Sequence, residues 1–417
     1  MLPIEIKPGI YWIGVNDRAT ELFEGLWPVH REGVSLNSYF INDEKKVIVD
    51  LTHEVTTSNM LAQLNQFTSL ADVDYFVINH MEPDHTGALV TLRQIAPNAV
   101  ILCSERAQKM LADFYGITDG IRTVKDGETL PLGRYTLQFF STPNVHWPET
   151  MMTFVQEAGV LFSCDGFGGF RALEGSIFDD EITDLAGYES EALRYYTNIV
   201  SGFSKPVLNA IQKLQGLPIS VVAPSHGIVW RSDPLRIVSL YRQWASYAGQ
   251  LGEPGITMVF GTMYGDTDRM SEAIIHGIRS EGVPFNVFDV SRTHVSYILP
   301  SLWTQAGVLV GAPTYEGRMF PPVAHVLEMA MIKRIRNKLA GCFGSYGWGG
   351  GAMKTFEQML PELQWELKGA MNFLGVPNRE KLRAGEAFGA SFARSVKETT
   401  VTGAWGAAPD PSHLSKN

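Results

Sequence analysis

Short runs of apolar, β-branched and aromatic residues recur through the first half of the chain, and several end close to an imidazole or a carboxylate. Tyr75-Phe76-Val77-Ile78, Leu137-Gln138-Phe139-Phe140, Val160-Leu161-Phe162 and Ile219-Ser220-Val221-Val222 each read as a buried strand. A helix-like stretch follows from about Asp233 to Gln250, and Leu251-Gly252-Glu253-Pro254-Gly255 then breaks the periodicity. Beyond it, strands and helices alternate at spacings suited to βαβ units, with Ile256–Phe260 as the first strand. A helix is expected from about Asp268 and an amphipathic one from Lys354 to Phe373. The pattern predicts domains at 1–252 and 253–402 and a Gly-, Pro- and Ser-rich tail at 403–417. The full 417 residues exceed the roughly 250–300 at which one core usually splits.

The strand exits carry the candidate chemistry. Tyr75–Ile78 runs into His80-Met81-Glu82-Pro83-Asp84-His85, and the later strands precede His146, Asp165 and His226. A solvated loop would explain one such group, but not further ligand-type residues arriving after other strands. Four imidazoles and three carboxylates without a thiolate suit a borderline to hard ion, so iron, manganese and zinc all fit. Seven donors exceed the three or four a single catalytic zinc takes, which points to two ions about 3.5–4 Å apart, bridged by one carboxylate. The remaining histidines, His30, His53, His276, His294, His325 and His413, read as structural residues.

The order His-x-Glu-x-Asp-His, then His146, Asp165 and His226, resembles the metallo-β-lactamase-type domain of flavodiiron proteins. Related zinc hydrolases carry His-x-His-x-Asp-His, and Glu82 puts a harder, anionic donor in place of an imidazole, which favours iron. The resemblance implies that His80, Glu82 and His146 hold one iron, Asp84, His85 and His226 the other, and that Asp165 bridges. It also implies an N-terminal αββα sandwich of two mixed sheets with helices outside. Trp147 and Glu149 beside His146 read either as shaping the pocket or passing protons, or as packing behind the ligands; packing is preferred for Trp147, since sequence neighbours on extended backbone point away.

In the second half, Ile256–Phe260 runs into Gly261-Thr262-Met263-Tyr264-Gly265-Asp266-Thr267, a hydroxyl-rich loop ahead of a helix that can cradle a phosphate. No Gly-Lys-Ser/Thr follows, against a nucleotide P-loop. Two later strand exits, Pro313-Thr314-Tyr315-Glu316-Gly317 and Ser345-Tyr346-Gly347-Trp348-Gly349-Gly350, combine glycine with aromatics. In a doubly wound parallel sheet such loops converge beyond the carboxyl ends of the strands. Together they are similar to the phosphate and isoalloxazine loops of flavodoxin, which implies FMN.

Composition changes the picture little. A net charge of −10 disfavours nucleic acid, no apolar run is long enough for a membrane span, and Met1–Pro8 lacks the features of a secretory signal, so a cytoplasmic location is expected. Cys103, Cys164 and Cys342 are few and widely spaced, fitting reduced thiols, and no Cys-x-x-Cys pair or Gly-x-Gly-x-x-Gly fingerprint occurs.

The family resemblance implies electron transfer from FMN to a di-iron site that reduces dioxygen to water, nitric oxide to nitrous oxide, or both. It further implies a head-to-tail homodimer or a dimer of dimers, and an external donor such as a rubredoxin-like protein or a reduced deazaflavin. The competing readings are a zinc hydrolase with an accessory flavodoxin-like domain and a non-enzymatic electron carrier.

Overall fold

The computed structural model describes residues 2–402 and divides into two compact units, the first ending at Ala245 and the second beginning at Ser246. The expected tail at 403–417 lies outside the described residues.

In the first unit the many short apolar runs pair into two mixed sheets. Seven strands run in the spatial order Ile4–Lys7, Ile10–Trp12, Tyr39–Ile41, Val47–Val49, Tyr75–Ile78, Val100–Cys103 and Ile121–Thr123. Five more run in the order Thr129–Pro131, Thr136–Ser141, Met151–Val155, Val160–Cys164 and Val221–Pro224. Helices Thr57–Leu64, Leu89–Ile95 and Glu105–Tyr115 bury Met60, Leu64, Leu89, Leu92, Ala107 and Leu111 in one cluster with Ile48, Phe76, Ile78 and Ile101 of the larger sheet. The two sheets meet where the Tyr39 hydroxyl donates to the Pro224 carbonyl at 2.6 Å and its ring lies 4.8 Å from that of Phe162. Helix Glu105–Tyr115 starts on the Ser104 hydroxyl, which accepts from Ala107 N–H, and stops at Gly116 in the left-handed region.

The second unit is a five-stranded parallel sheet in the order Phe285–Asp289, Glu253–Phe260, Gln305–Gly311, Leu339–Tyr346 and Glu366–Leu374. In sequence terms this is 2-1-3-4-5, a doubly wound order whose switch point lies between Glu253–Phe260 and Gln305–Gly311. Ile256–Phe260 is buried throughout, as a strand covered on both faces must be. Among the described residues no helix is long and apolar enough to cross a membrane.

One expectation fails here. The stretch Lys354–Phe373 is not a single helix: Ala352–Leu363 is helical, Gln364 turns the chain at φ 55°, and Glu366–Leu374 joins the sheet beside Leu339–Tyr346. The Trp365 indole donates to the Ile335 carbonyl and anchors the break, so tertiary contacts override the amphipathic pattern. The helix expected from about Asp268 starts at Asp266.

Helices Asp266–Ser280 and Arg379–Thr402 approach backbone to backbone. A Cβ added at Gly277 would strike the Glu386 carbonyl oxygen, and one added at Gly389 would strike that of Ile274. Gly→Ala inside a helix ordinarily gains up to about 1 kcal/mol, whereas forcing a methyl into packed backbone costs about 1–3 kcal/mol. Gly389→Ala is therefore expected to lower the stability of the second unit by about 1–2 kcal/mol, read as an earlier denaturation midpoint; an unchanged or later midpoint would refute the close approach.

Candidate metal centre and flavin site

The strand ends of the first unit are locked together by a buried carboxylate. Asp50, directly after the strand Val47–Val49, accepts from the Asn79 backbone N–H at 2.8 Å and from its amide at 2.9 Å, and from the Ser225 hydroxyl at 3.3 Å. Asn79 and Ser225 immediately precede His80 and His226, so one side chain sets the spacing of two distant loops. Thr86 does similar work locally, its hydroxyl lying 3.1 Å from the Met81 carbonyl, 2.9 Å from that of Glu82 and 2.7 Å from the Tyr115 hydroxyl.

Around this frame the seven predicted donors come together, and Asp165 divides them. Its Oδ2 lies 3.3 Å from Nε2 of His80 and 3.3 Å from Nε2 of His146, both of which also face Glu82 Oε2 at 3.3 and 3.2 Å. Its Oδ1 lies 3.2 Å from His85 Nε2 and 3.3 Å from His226 Nε2. Asp84 Oδ2 approaches His226 at 3.1 Å and its Oδ1 approaches His85 at 3.6 Å. Two donor groups, His80–Glu82–His146 and Asp84–His85–His226, thus share one carboxylate. The Tyr195 hydroxyl donates to Asp165 Oδ1 at 3.1 Å, and His226 Nδ1 meets the Ser35 carbonyl at 2.8 Å, which turns Nε2 toward the cluster.

The polar inventory tests the fit to cations. Both Asp84 oxygens, Asp165 Oδ2, His85 Nε2 and His226 Nε2 are buried without a hydrogen-bond partner among the described residues. Left unsatisfied, each such group would cost about 1–3 kcal/mol or more. They stand at ion-pair distances from one another but are not aligned as donors and acceptors, the arrangement of ligands aimed at common points. No thiolate belongs to either group, so the donor set fits iron or another borderline to hard ion. A third buried trio, Asp50, His85 and Cys164, fits poorly, because Asn79 and Ser225 already hold the Asp50 oxygens and burial keeps the Cys164 thiol well above its usual range.

Electrostatics agree. Burial opposes charge on every imidazole, yet the carboxylates outweigh it, bringing His146 to about 9 and His226 to about 10 and raising His80 and His85. Burial likewise opposes ionisation of Glu82 and Asp165, and the histidines hold both below the usual carboxylate range.

Over the cluster lies a cavity of about 580 Å³ whose walls include Phe23, Leu36, His53, Glu82, Asp84 and Trp147. Trp147 corrects the expectation that it points away: its ring stands edge-on 4.9 Å from that of His80. Residues 142–150 form a turn, with Asn144 N–H donating to the Trp147 carbonyl, so strand alternation does not apply. Among the described residues His30, His53, His276, His294 and His325 stay out of the cluster, while His413 lies outside them. His53 lines the opening, His276 bonds Glu386 and His294 caps the helix Val295–Thr304. Sequence reasoning missed Asp50, Ser35, Tyr195 and Phe23, whose ring is edge-on to His226 at 5.3 Å. Only Asp50 carried a local signal, since it follows an apolar strand as the ligands do.

In the second unit Met263, Tyr264, Asp266, Pro313–Gly317 and Ser345–Gly350 line a cavity of about 510 Å³, together with Gly375, which the sequence did not flag. Thr262, Gly265 and Thr267 do not line it: the Thr262 hydroxyl accepts from Gly265 N–H, and Thr267 pairs with Ser345 at 3.1 Å. Gly265, at φ 91°, precedes the helix with no side-chain cap, and N–H groups of a first helical turn are the donors that phosphate binding uses. Tyr264 and Trp348 are 92% and 98% exposed, available as flat walls for a ring, so the loops fit FMN.

Residues 34–227 match the family model for ODP family beta lactamase and residues 258–375 match that for flavodoxin. The chain is 36% identical to the nitric oxide reductase of Moorella thermoacetica, with 88% of this chain and 91% of that one covered. It is 35% identical to the anaerobic nitric oxide reductase flavorubredoxin of Escherichia coli O6:K15:H31, with 98% and 84% covered. Among solved structures, the rubredoxin oxygen:oxidoreductase of Desulfovibrio gigas superposes with a TM-score of 0.90 at 27% identity, covering 95% of this chain and 99% of that one. The flavodiiron protein of Giardia intestinalis gives the same score and identity, covering 95% and 97%.

The raised histidines set a pH dependence once metal is chelated away. Unfolded histidine titrates at about 6.5, and a folded value above it contributes stability that is complete below 6.5 and lost as pH rises through the folded value. The melting temperature of the chelator-treated chain is expected to fall between pH 6.5 and the range from about 9 to about 10 set by His146 and His226; a flat profile would contradict the pairing of these histidines with the buried carboxylates.

Proposed function

We propose that this chain, which belongs to the flavodiiron proteins, reduces nitric oxide to nitrous oxide, and dioxygen to water, with electrons passed from FMN to a non-haem di-iron centre. The observation that carries the reading is the division of Asp165, Oδ1 toward His85 and His226 and Oδ2 toward His80 and His146. A carboxylate so placed suits a bridge between two ions. His80, Glu82 and His146 would hold one iron and Asp84, His85 and His226 the other, within a first domain of residues 1–252. FMN would lie on the loops at Thr262–Thr267, Pro313–Gly317 and Ser345–Gly350 of a second domain of residues 253–402.

Relatives at 35–36% identity bear nitric oxide reductase names, which favours nitric oxide as the principal substrate; the name of the Desulfovibrio structure supports the dioxygen reading. When bound, the iron pair supplies two adjacent sites at which diatomic molecules are held and reduced, and FMN supplies the electrons. Two nitric oxide molecules, two electrons and two protons balance one nitrous oxide and one water.

The chain's own residues prepare that reaction by position. Asp50 fixes the loops, so the donors need little rearrangement when ions bind. Phe23, Leu36 and Trp147 give the opening an apolar wall that admits small uncharged gases and limits water at the buried carboxylates. The Tyr195 hydroxyl, by donating to Asp165 Oδ1, holds the shared carboxylate in one orientation.

The sequence holds no Cys-x-x-Cys pair, consistent with a separate donor, either a rubredoxin-like protein or a reduced deazaflavin. A head-to-tail homodimer or a dimer of dimers, in which FMN of one subunit serves the metals of the next, completes the proposal.

The decisive experiment reduces the purified protein anaerobically until its flavin bleaches, then follows loss of nitric oxide or dioxygen with an electrode. Consumption of nitric oxide, with two irons per chain, is expected. Asp165→Asn should lower it by at least the roughly 10–100-fold typical of weaker perturbations around a metal site, with flavin reduction unchanged. Zinc in place of iron, with ester hydrolysis indifferent to reduction, would overturn the reading in favour of a hydrolase.

A further inference from the structure

His80 and His226, one from each donor group, differ in what stands behind them. His226 turns its Nδ1 to the Ser35 carbonyl at 2.8 Å, a neutral acceptor. His80 turns its Nδ1 to Glu149 Oε1 at 2.7 Å, and both of those side chains are fully shielded from solvent. Glu149 is itself held: Oε1 also accepts from Met81 N–H at 3.0 Å, and its backbone carbonyl accepts from the Ser104 hydroxyl at 2.7 Å. Its second oxygen, Oε2, is buried with no partner among the described residues. The carboxylate therefore sets its charge against one imidazole and one backbone N–H.

A short bond of this kind fixes the proton on Nδ1, directs the lone pair of Nε2 at the ion, and raises the basicity of the ring. Resting on the di-iron reading above, we infer that Glu149 is a positioning residue that makes the two irons unequal: the ion on the His80–Glu82–His146 side is the more electron-rich and is oxidised first. In a reduced pair from which the bound gas or an oxidising mediator had taken one electron, the ferric charge would fall on the ion held by His80, whose ring lies beside that of Trp147 at the wall of the cavity. The bond shifts charge along His80 and transfers no proton away from Nδ1, so the electron count of the reaction is untouched.

The substitution Glu149→Gln isolates the charge. Its carboxamide oxygen can accept from both His80 Nδ1 and Met81 N–H, with the nitrogen occupying the place of Oε2. Iron content and a potentiometric titration followed by electron paramagnetic resonance and Mössbauer spectra would be compared for wild type, Glu149→Gln and Glu149→Ala. The wild type is expected to hold two irons with separate midpoints and a valence-localised intermediate state. Glu149→Gln should keep both irons while the midpoint of the first oxidation rises and the separation narrows. Glu149→Ala should weaken binding of one iron by roughly 10–100-fold. Wild-type midpoints in the Gln variant would overturn the inference while leaving the di-iron reading intact. A wild type without an iron pair would overturn both, and the metal analysis tells these outcomes apart. If the Ala variant does not fold, the Gln comparison alone decides.

Discussion

A buried carboxylate surrounded by imidazoles is the constraint on which the first domain depends. Asp165 is 1% exposed, and an isolated charge so deep would either be neutralised or unfold its surroundings. Four histidines from three segments answer it, two at each oxygen. The mixed sheets exist, in functional terms, to deliver those segments to one point: Tyr75–Ile78 brings His80, Val160–Cys164 brings Asp165, and Val221–Pro224 brings His226. Asp50 then converts three strand ends into one rigid unit through Asn79 and Ser225.

The flavin site follows a different logic. Its loops stand at the switch point of a parallel sheet, its helix begins on an uncapped glycine, and its aromatics are open to solvent. A site that binds a preformed organic cofactor needs backbone N–H groups and flat surfaces, and tolerates exposure. A site that must hold two cations against hydrolysis and leakage needs buried charge and fixed geometry. The division of labour between the two domains reflects these two demands, one met by backbone and the other by side chains in low dielectric surroundings. The same reasoning gives Glu149 its weight, since a carboxylate placed behind one histidine in a dry interior acts on that ion far more than it would in water.

The donor residues were legible because each strand ends in a residue type that apolar runs do not otherwise recruit. His-x-Glu-x-Asp-His packs four candidate ligands into six positions, and that density stands out without any knowledge of the fold. The loops of the second domain were legible for a related reason, since glycine and threonine between a buried strand and a helix mark a turn with free N–H groups. Gly375 escaped notice because its place beside Tyr346 depends on the strand Glu366–Leu374, which the amphipathic pattern of Lys354–Phe373 concealed. Trp147 was misjudged because alternation holds only for extended backbone, and residues 142–150 turn.

The sequence by itself determined the two-part organisation, the chemistry of the donors and the aromatic, glycine-rich character of the flavin loops, because these follow from residue type and short-range periodicity. Only the tertiary structure decided which donors share which oxygen of Asp165, that Tyr195, Phe23 and Ser35 stand around them, and that Glu149 backs His80. Those pairings join residues tens to nearly two hundred positions apart. No local pattern encodes such distances; they are set by how two sheets pack and by the need to satisfy every charge that packing buries.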